Sequence, residues 1–197
     1  MKQDPIVDIA EDGDAVFIVG PSHSRIRAYS LLLKNASPVF KAMLAPSFKE
    51  GHQLAQAGST EIELPEDDAE AVEIAFKTIH GYNDEIPETL SVDQVFQILL
   101  MADKYDCRVP LSFALECWLK RLSPETPEQL WTWAMATIIH CSEENFTKAT
   151  SELAMRHAGS YLELVRADLA LPHLTTQLRL AGTSNPYIRS ISGSIVT

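Results

Sequence analysis

Metal binding is the first chemistry that the cysteines and histidines of this sequence could support. The 197-residue chain has three cysteines and six histidines, among them the adjacent pair His140 and Cys141 and the more distant Cys107 and Cys117. Structural zinc sites bring two ligands together within a few residues, as in C-x₂₋₄-C or H-x₃₋₅-H. No such pair occurs, so we expect no bound metal and interpret the cysteines as small, buried apolar residues.

Nucleophilic and nucleotide chemistry need motifs that are equally recognisable. The sequence has no G-x-S-x-G turn and no Gly-Lys-Ser/Thr, and Gly13 and Gly20 are too far apart for G-x-G-x-x-G. The acidic runs Glu66–Asp68 and Asp84–Glu85 could form a carboxylate cluster, but we interpret them as solvated, helix-capping residues. We therefore expect no catalytic residue, no cofactor and no enzymatic activity.

Two tryptophans, Trp131 and Trp133, could instead serve binding. A spacing of two places them on different sides of a helix, so at least one should face away from the local core. An exposed tryptophan is a common anchor of protein interfaces. The alternative is that the front domain and the helical region behind it each bury one of the two indoles.

The overall charge excludes two classes of partner. The chain has a formal net charge of −11 and a pI near 4.9. Nucleic acids and anionic membranes attract basic surfaces, and no segment provides one, so we expect neither partner. An odd number of cysteines is not a disulfide framework, and Met1–Pro5 lacks the apolar run of a signal peptide. These features predict a cytoplasmic or nuclear protein.

Short strands are predicted at the front of the chain, over residues 14–19, 25–28 and 61–64. The apolar run within the first predicts a strand buried on both faces, and the other two alternate between polar and apolar residues. Residues 51–60, rich in Gly, Ser, Gln and Ala, are predicted to be a loop. Helices with apolar stripes follow the strands, and this order predicts an α+β fold with a small mixed sheet.

Domain boundaries follow from prolines and from loss of periodicity. The segment Ser123–Pro127 contains two prolines and separates a domain over residues 8–122 from an all-helical extension over 124–181. Residues 1–7 are predicted to be an N-terminal tail, and the Ser/Gly-rich residues 182–197 a disordered tail.

Helical stripes also identify core residues and helix ends. Phe17, Phe40, Leu99 and Trp118 are predicted to be core residues. His80 and His157 are predicted at or near helix C-termini, where the helix dipole favours a cation.

Six segments, in this order, resemble the BTB/POZ family, and most closely its fungal members. They are the opening strand Asp12–Gly20, the second strand and first helix Arg25–Leu33, the S-P-x-F helix Ser37–Leu44, the F-x-E segment Phe48–Gly51, the third strand Ile62–Pro65 and the A-x-K-Y helix end Ala102–Cys107. The resemblance covers residues 8–122 and implies the BTB/POZ fold followed by a helical extension. One departure is that Tyr29 and Ser30 stand where most animal members have His and a basic residue, which argues against the charged pocket of BTB transcription factors.

The resemblance implies a non-enzymatic module that binds proteins. In BTB adaptors of ubiquitin ligases, a hydrophobic-x-acidic segment contributes to cullin docking, and Phe48 and Glu50 match that segment. The alternative for this segment is that Phe48 folds back onto its own core. The alternative function is a homo-oligomerising scaffold or a transcription-associated subunit without ligase recruitment. The implied partners are thus a cullin or a second copy of the chain.

Overall fold

The computed structural model describes residues 6–165 together with His173, Thr176 and Gln177. The chain divides into two compact units, the first ending at Leu122 and the second beginning at Ser123. The tail predicted over residues 182–197 lies outside the described residues.

The first unit is built on a mixed, four-stranded sheet with the strand order β1-β3-β2-β4. Its strands are β1 (Ile6–Asp8), β2 (Ala15–Val19), β3 (Ser24–Ala28) and β4 (Thr60–Leu64). β2 and β3 form an antiparallel hairpin, and β4 lies parallel to β2 on the other side, so that Phe17 has Ile26 and Ile62 as its neighbours. The three predicted strands and the α+β fold are confirmed.

Strand β2 is buried on one face only, so the prediction of burial on both faces is wrong. Phe17 and the other odd-numbered residues of β2 are buried, whereas Val16 and Ile18 are half-buried. Arg25 on β3 lies beside Ile18, Glu61 on β4 lies beside Val16, and the two charged side chains form an ion pair of 2.6 Å. The half-buried face of the strand therefore has charged side chains of both neighbouring strands beside it.

Strand β1 corrects the predicted boundary of the N-terminal tail. Ile6 and Val7 were predicted in the tail, but they pair in parallel with β3, with Val7 opposite Ile26. An ion pair of 3.0 Å between Arg27 Nη1 and Asp8 Oδ1 links the same two strands. Three residues are too few to show a strand period in the sequence, since this strand depends on its partner in the folded chain.

Six α-helices complete the first unit. They are α1 (Ser30–Ala36), α2 (Pro38–Met43), α3 (Lys49–Ala57), α4 (Ala69–His80), α5 (Val92–Lys104) and α6 (Arg108–Arg121). Helix α3 occupies most of the segment predicted as a loop, so that prediction is wrong. The Gln, Ala and Leu residues of the segment are good helix formers, and Gly58 ends the helix in the left-handed conformation, with φ 74°.

Aromatic rings form the centre of the first unit. Phe40 contacts Phe17 and Phe76 edge-to-face, with ring centroids 5.8 and 5.7 Å apart. Phe17 and Phe76 contact each other at 4.8 Å. All four predicted core residues, including Leu99 and Trp118, are buried, so the prediction of the core is confirmed.

The second unit contains α7 (Pro127–His140), α8 (Glu143–Arg156) and a short 3₁₀ helix over Tyr161–Leu164. The hydroxyl oxygen of Thr126 accepts the backbone N–H of Gln129, and the side chain of Gln129 accepts the backbone N–H of Thr126. Together these two bonds form a capping box at the start of α7. The region around Tyr161, within the extension predicted to be all-helical, forms only this 3₁₀ turn. Further along the predicted extension, the three described residues His173, Thr176 and Gln177 are helical.

Both tryptophans of α7 are buried, so neither is an exposed anchor. The indole N–H of Trp131 donates to Oε1 of Gln177 at 3.0 Å. The ammonium group of Lys148 lies 5.5 Å from the ring centroid of Trp133, within the range of a cation–π contact. The expectation of an exposed tryptophan anchor is therefore wrong.

The three cysteines lie in three different environments. Cys107 is buried as predicted, Cys117 is half-buried, and Cys141 is exposed, contrary to the prediction. Cys141 ends α7 in the left-handed conformation with φ 59°, a place at the surface that its residue type alone does not predict. Burial raises the pKa of Cys107 to about 12, so its thiol stays protonated at neutral pH.

Candidate interaction site

The candidate site lies at the turn between α2 and α3, and Ser37 fixes the start of α2. Its hydroxyl oxygen accepts the backbone N–H of Phe40 at 2.9 Å, and its O–H donates to the carbonyl oxygen of Tyr105 at 2.5 Å. One side chain therefore caps α2 and ties it to the end of α5. The ring of Phe40 also stacks on the ring of Tyr105, with centroids 4.6 Å apart, so α2 has a polar and an apolar attachment to the same residue.

A buried carboxylate, Asp67, supports this attachment from the other side. Its Oδ2 accepts the O–H of Tyr105 at 2.7 Å and the ammonium group of Lys104 at 2.8 Å. The N-cap of α4 is Asp68, whose Oδ1 accepts the N–H of Ala71. The prediction of a solvated acidic run is therefore wrong at Asp67. Burial, followed by the hydrogen bond to Asp67, raises the pKa of Tyr105 well above its usual value.

The chain reverses between α2 and α3 through a tight, hydrogen-bonded turn. The N–H of Phe48 donates to the carbonyl oxygen of Ala45 at 2.9 Å, and the N–H of His52 donates to the carbonyl oxygen of Phe48 at 2.9 Å. Phe48 is the N-cap of α3 and has extended backbone dihedrals. Both backbone polar groups of Phe48 are thus bonded, which fixes the position of its Cα atom.

The side chain of Phe48 is not part of the core. It is 53% exposed, although its backbone is held at both ends. The alternative in which Phe48 folds back onto the core is therefore wrong. A large aromatic side chain on an ordered backbone can fill a partner's pocket at little cost in conformational entropy.

Glu50 lies in the first turn of α3 and is half-buried. An acidic residue in the first turn of a helix is stabilising, because the helix dipole is positive at this end. Lys49, between Phe48 and Glu50, is exposed. The turn between α2 and α3 thus presents an aromatic side chain and two charges of opposite sign within three consecutive residues.

The pair Tyr29 and His80 is a second feature, and sequence reasoning missed its geometry. The Nδ1 of His80 lies 2.7 Å from the carbonyl oxygen of Phe76, which can only accept, so Nδ1 is the donor. Nε2 then accepts the backbone N–H of Tyr29 at 3.0 Å, and the two rings stack with centroids 6.2 Å apart. His80 does end α4 as predicted, but burial lowers its pKa, so the cation expected there is disfavoured.

Helix α6 carries exposed apolar side chains that sequence reasoning did not single out. Val109 is 84% exposed and Phe113 is 83% exposed, and their spacing of four places them on one face. Leu111 and Leu115 on the opposite side are fully buried. The sequence contains a signal for both faces, since Val109 and Phe113 are four residues apart and so are Leu111 and Leu115, which places each pair on its own side of a helix.

Within the described ranges, no His, Cys, Asp or Glu side chains form a group of three or more that could hold a metal ion. No helix in the described part of the chain combines the length and the apolar character that crossing a bilayer requires.

Comparison with known families gives one match. The sequence profile of the BTB/POZ domain matches residues 10–113, from the residues before β2 to the first half of α6. No curated protein matches the chain significantly.

Proposed function

The chain belongs to the BTB/POZ domain family, and from this membership we propose that it is an adaptor that docks a cullin-type ubiquitin ligase subunit through Phe48 and Glu50. Domains of this family are in general protein–protein interaction modules rather than enzymes. The general function is therefore protein binding, and the cullin and the two contact residues are the proposed refinement.

The observation that carries the proposal is the exposure of Phe48 on a fixed backbone. With 53% of its surface exposed, the side chain of Phe48 offers about half of its apolar surface to a partner. Hydrogen bonds to Ala45 and His52 hold its backbone before any partner binds. Little ordering of this residue is then needed on binding, which favours affinity.

Glu50 supplies the polar part of the proposed contact. It is two residues after Phe48 and half-buried at the start of α3, so its carboxylate would lie at the edge of a contact centred on the ring. Charges at the rim of an interface act more on association rate and specificity than on affinity. We therefore assign affinity to Phe48 and orientation to Glu50.

Calorimetric titration with the N-terminal domain of a cullin tests this function. Phe48→Ala should weaken binding more than about tenfold, because truncating a central aromatic anchor often costs 2 kcal/mol or more. Glu50→Ala should have a smaller effect. Both variants should keep the melting temperature of the native chain, since neither side chain belongs to the core.

A matched control separates the site from general surface effects. Leu162 is 56% exposed, close to the exposure of Phe48, and lies in the second unit. Leu162→Ala should bind the cullin as the native chain does. Absence of binding by the native chain at micromolar concentration would refute the cullin function.

The alternative function is a homo-oligomerising scaffold or a transcription-associated subunit. The exposed pair Val109 and Phe113 on α6 favours it, because a second copy could cover this apolar face. Light scattering after size exclusion distinguishes the functions: a scaffold would self-associate, and Phe113→Asp would make it monomeric. For either function we propose a place in the cytoplasm or the nucleus.

A further inference from the structure

We propose that Gly51 is a positioning residue of the docking site: it lets α3 begin against the end of α2 and so holds Phe48 and Glu50 in the orientation that the partner requires. The identity of the partner rests on the proposed function. The geometry, and one of the tests below, involve no cullin.

Gly51 has an unexpected place in α3. It is the only residue of that helix that is buried, whereas most of the helix is exposed. In the interior of a helix glycine is the least favourable residue except proline. The neighbouring residues are good helix formers, so the glycine needs a reason other than helix stability.

The reason is a close approach to backbone atoms. A Cβ atom built on Gly51 would lie 2.0 Å from the carbonyl oxygen of Ala45 and 2.5 Å from the carbonyl carbon of Leu44, where ordinary van der Waals contact begins at 3.4 Å. No change of side-chain rotamer can relieve contacts with backbone atoms. An alanine at this position would therefore force α3 and the end of α2 apart by on the order of 1 Å, because packed interiors have no spare volume.

The same carbonyl group connects Gly51 to the docking site. The oxygen of Ala45 that Gly51 approaches also accepts the N–H of Phe48 at 2.9 Å. Separating α3 from Ala45 would lengthen this bond and move both Phe48 and Glu50. Binding constellations have to be held to within about 0.5 Å. Gly51 is buried and cannot touch a partner, so its effect on binding would pass through Phe48 and Glu50.

Gly51→Ala, compared with Gly58→Ala, tests this role in the full chain. Gly58 ends the same helix with φ 74°, and no atom beyond its neighbours in the chain lies within 4 Å of the position that a Cβ atom would take there, so alanine strains the backbone without pushing α3 away. Both variants should lower the melting temperature by a few degrees. Gly51→Ala should weaken binding of the cullin N-terminal domain at least about tenfold, and Gly58→Ala less than about threefold.

A double variant separates positioning from a loss of stability. If Gly51 acts through Phe48 and Glu50, the variant that combines Phe48→Ala and Gly51→Ala should lose less binding free energy than the sum of the two single losses. Additive losses in the double variant would overturn the proposal. So would native-like binding by Gly51→Ala.

Amide hydrogen exchange tests the geometry without a partner. Gly51→Ala should speed the exchange of the Phe48 and His52 amides at least about tenfold and leave the amides of β2 unchanged. Gly58→Ala should leave the Phe48 and His52 amides unchanged. If the native chain binds no cullin but these amides respond as expected, the cullin function fails and the positioning role stands. Unchanged exchange, or loss of cooperative unfolding in Gly51→Ala, would overturn the positioning role.

Discussion

Replacing Phe40 with alanine removes the side chain on which the core of the first unit converges. Phe40 is fully buried and contacts Phe17, Phe76 and Tyr105, with ring centroids 5.8, 5.7 and 4.6 Å away. Truncation of a fully buried phenylalanine costs about 3–5 kcal/mol. Rigid strands and helices surround the site, so we expect little collapse and a value in the upper half of that range.

Phe40→Leu divides this cost into two parts. Leucine retains most of the apolar burial but loses the aromatic contacts, each of which contributes about 0.5–1.5 kcal/mol beyond area. With the lower limit for each of the three contacts, we expect a loss of at least about 1.5 kcal/mol for this variant. The contact with Tyr105 makes the largest contribution to this loss, because its rings are the closest of the three.

Urea denaturation followed by far-ultraviolet circular dichroism measures both losses, provided that the m-value stays that of the native chain. Leu31→Ala is the control. Its side chain is 64% exposed on α1, so its loss should stay within about 0.5 kcal/mol. A loss below about 1 kcal/mol for Phe40→Ala would show that the assignment of the core is wrong.

Two further predictions concern polar groups of the first unit. Tyr105→Phe should lower the free energy of unfolding by about 1.5–3 kcal/mol, because it removes a hydrogen bond to a buried carboxylate. Lys104→Met should cost less than about 1 kcal/mol, because the side chain of Lys104 is 44% exposed. Equal losses in urea melts would contradict the view that Asp67 is stabilised more by Tyr105 than by Lys104. Burial holds the pKa of His80 below its ordinary value of 6.5, so the unfolded chain binds the proton more readily and stability should decline as pH falls below 6.5. Protonated Nε2 of His80 cannot accept the N–H of Tyr29, and His80→Gln should flatten this decline in stability. A native chain that becomes more stable as pH falls below 6.5 would contradict the lowered pKa of His80.

The strands and core helices could be predicted because their signals are local. β3 and β4 alternate between polar and apolar residues, and the Ser37-Pro38 pair places the start of α2 at the residue where the structure has it. β1 could not be predicted, because three residues have no measurable period and the strand exists through its pairing with β3. α3 was missed because its two glycines suggest a loop, although one contacts a carbonyl group and the other ends the helix.

The candidate site was predictable in residue type but not in geometry. The sequence points to Phe48 and Glu50 through resemblance alone, and only the structure shows that the ring is exposed on a bonded backbone. Asp67 and Asp68 cannot be told apart by composition. One caps α4 and the other is buried beside Tyr105, because a partner 38 positions away decides which carboxylate leaves water.

The motifs that identify the family describe its fold more than its partner. The serine of S-P-x-F caps α2 and reaches the carbonyl group of Tyr105, and the phenylalanine of the same motif stacks on the ring of Tyr105. The lysine and tyrosine of A-x-K-Y both bind Asp67. These two motifs therefore belong together because they contact each other, which predicts the fold in any chain that carries both.

Phe48 differs from them, since its side chain faces outward and the fold does not require it. Substitution at Phe48 should thus change what the domain binds and leave the domain folded, and this is why the F-x-E segment can report on function where the other motifs cannot.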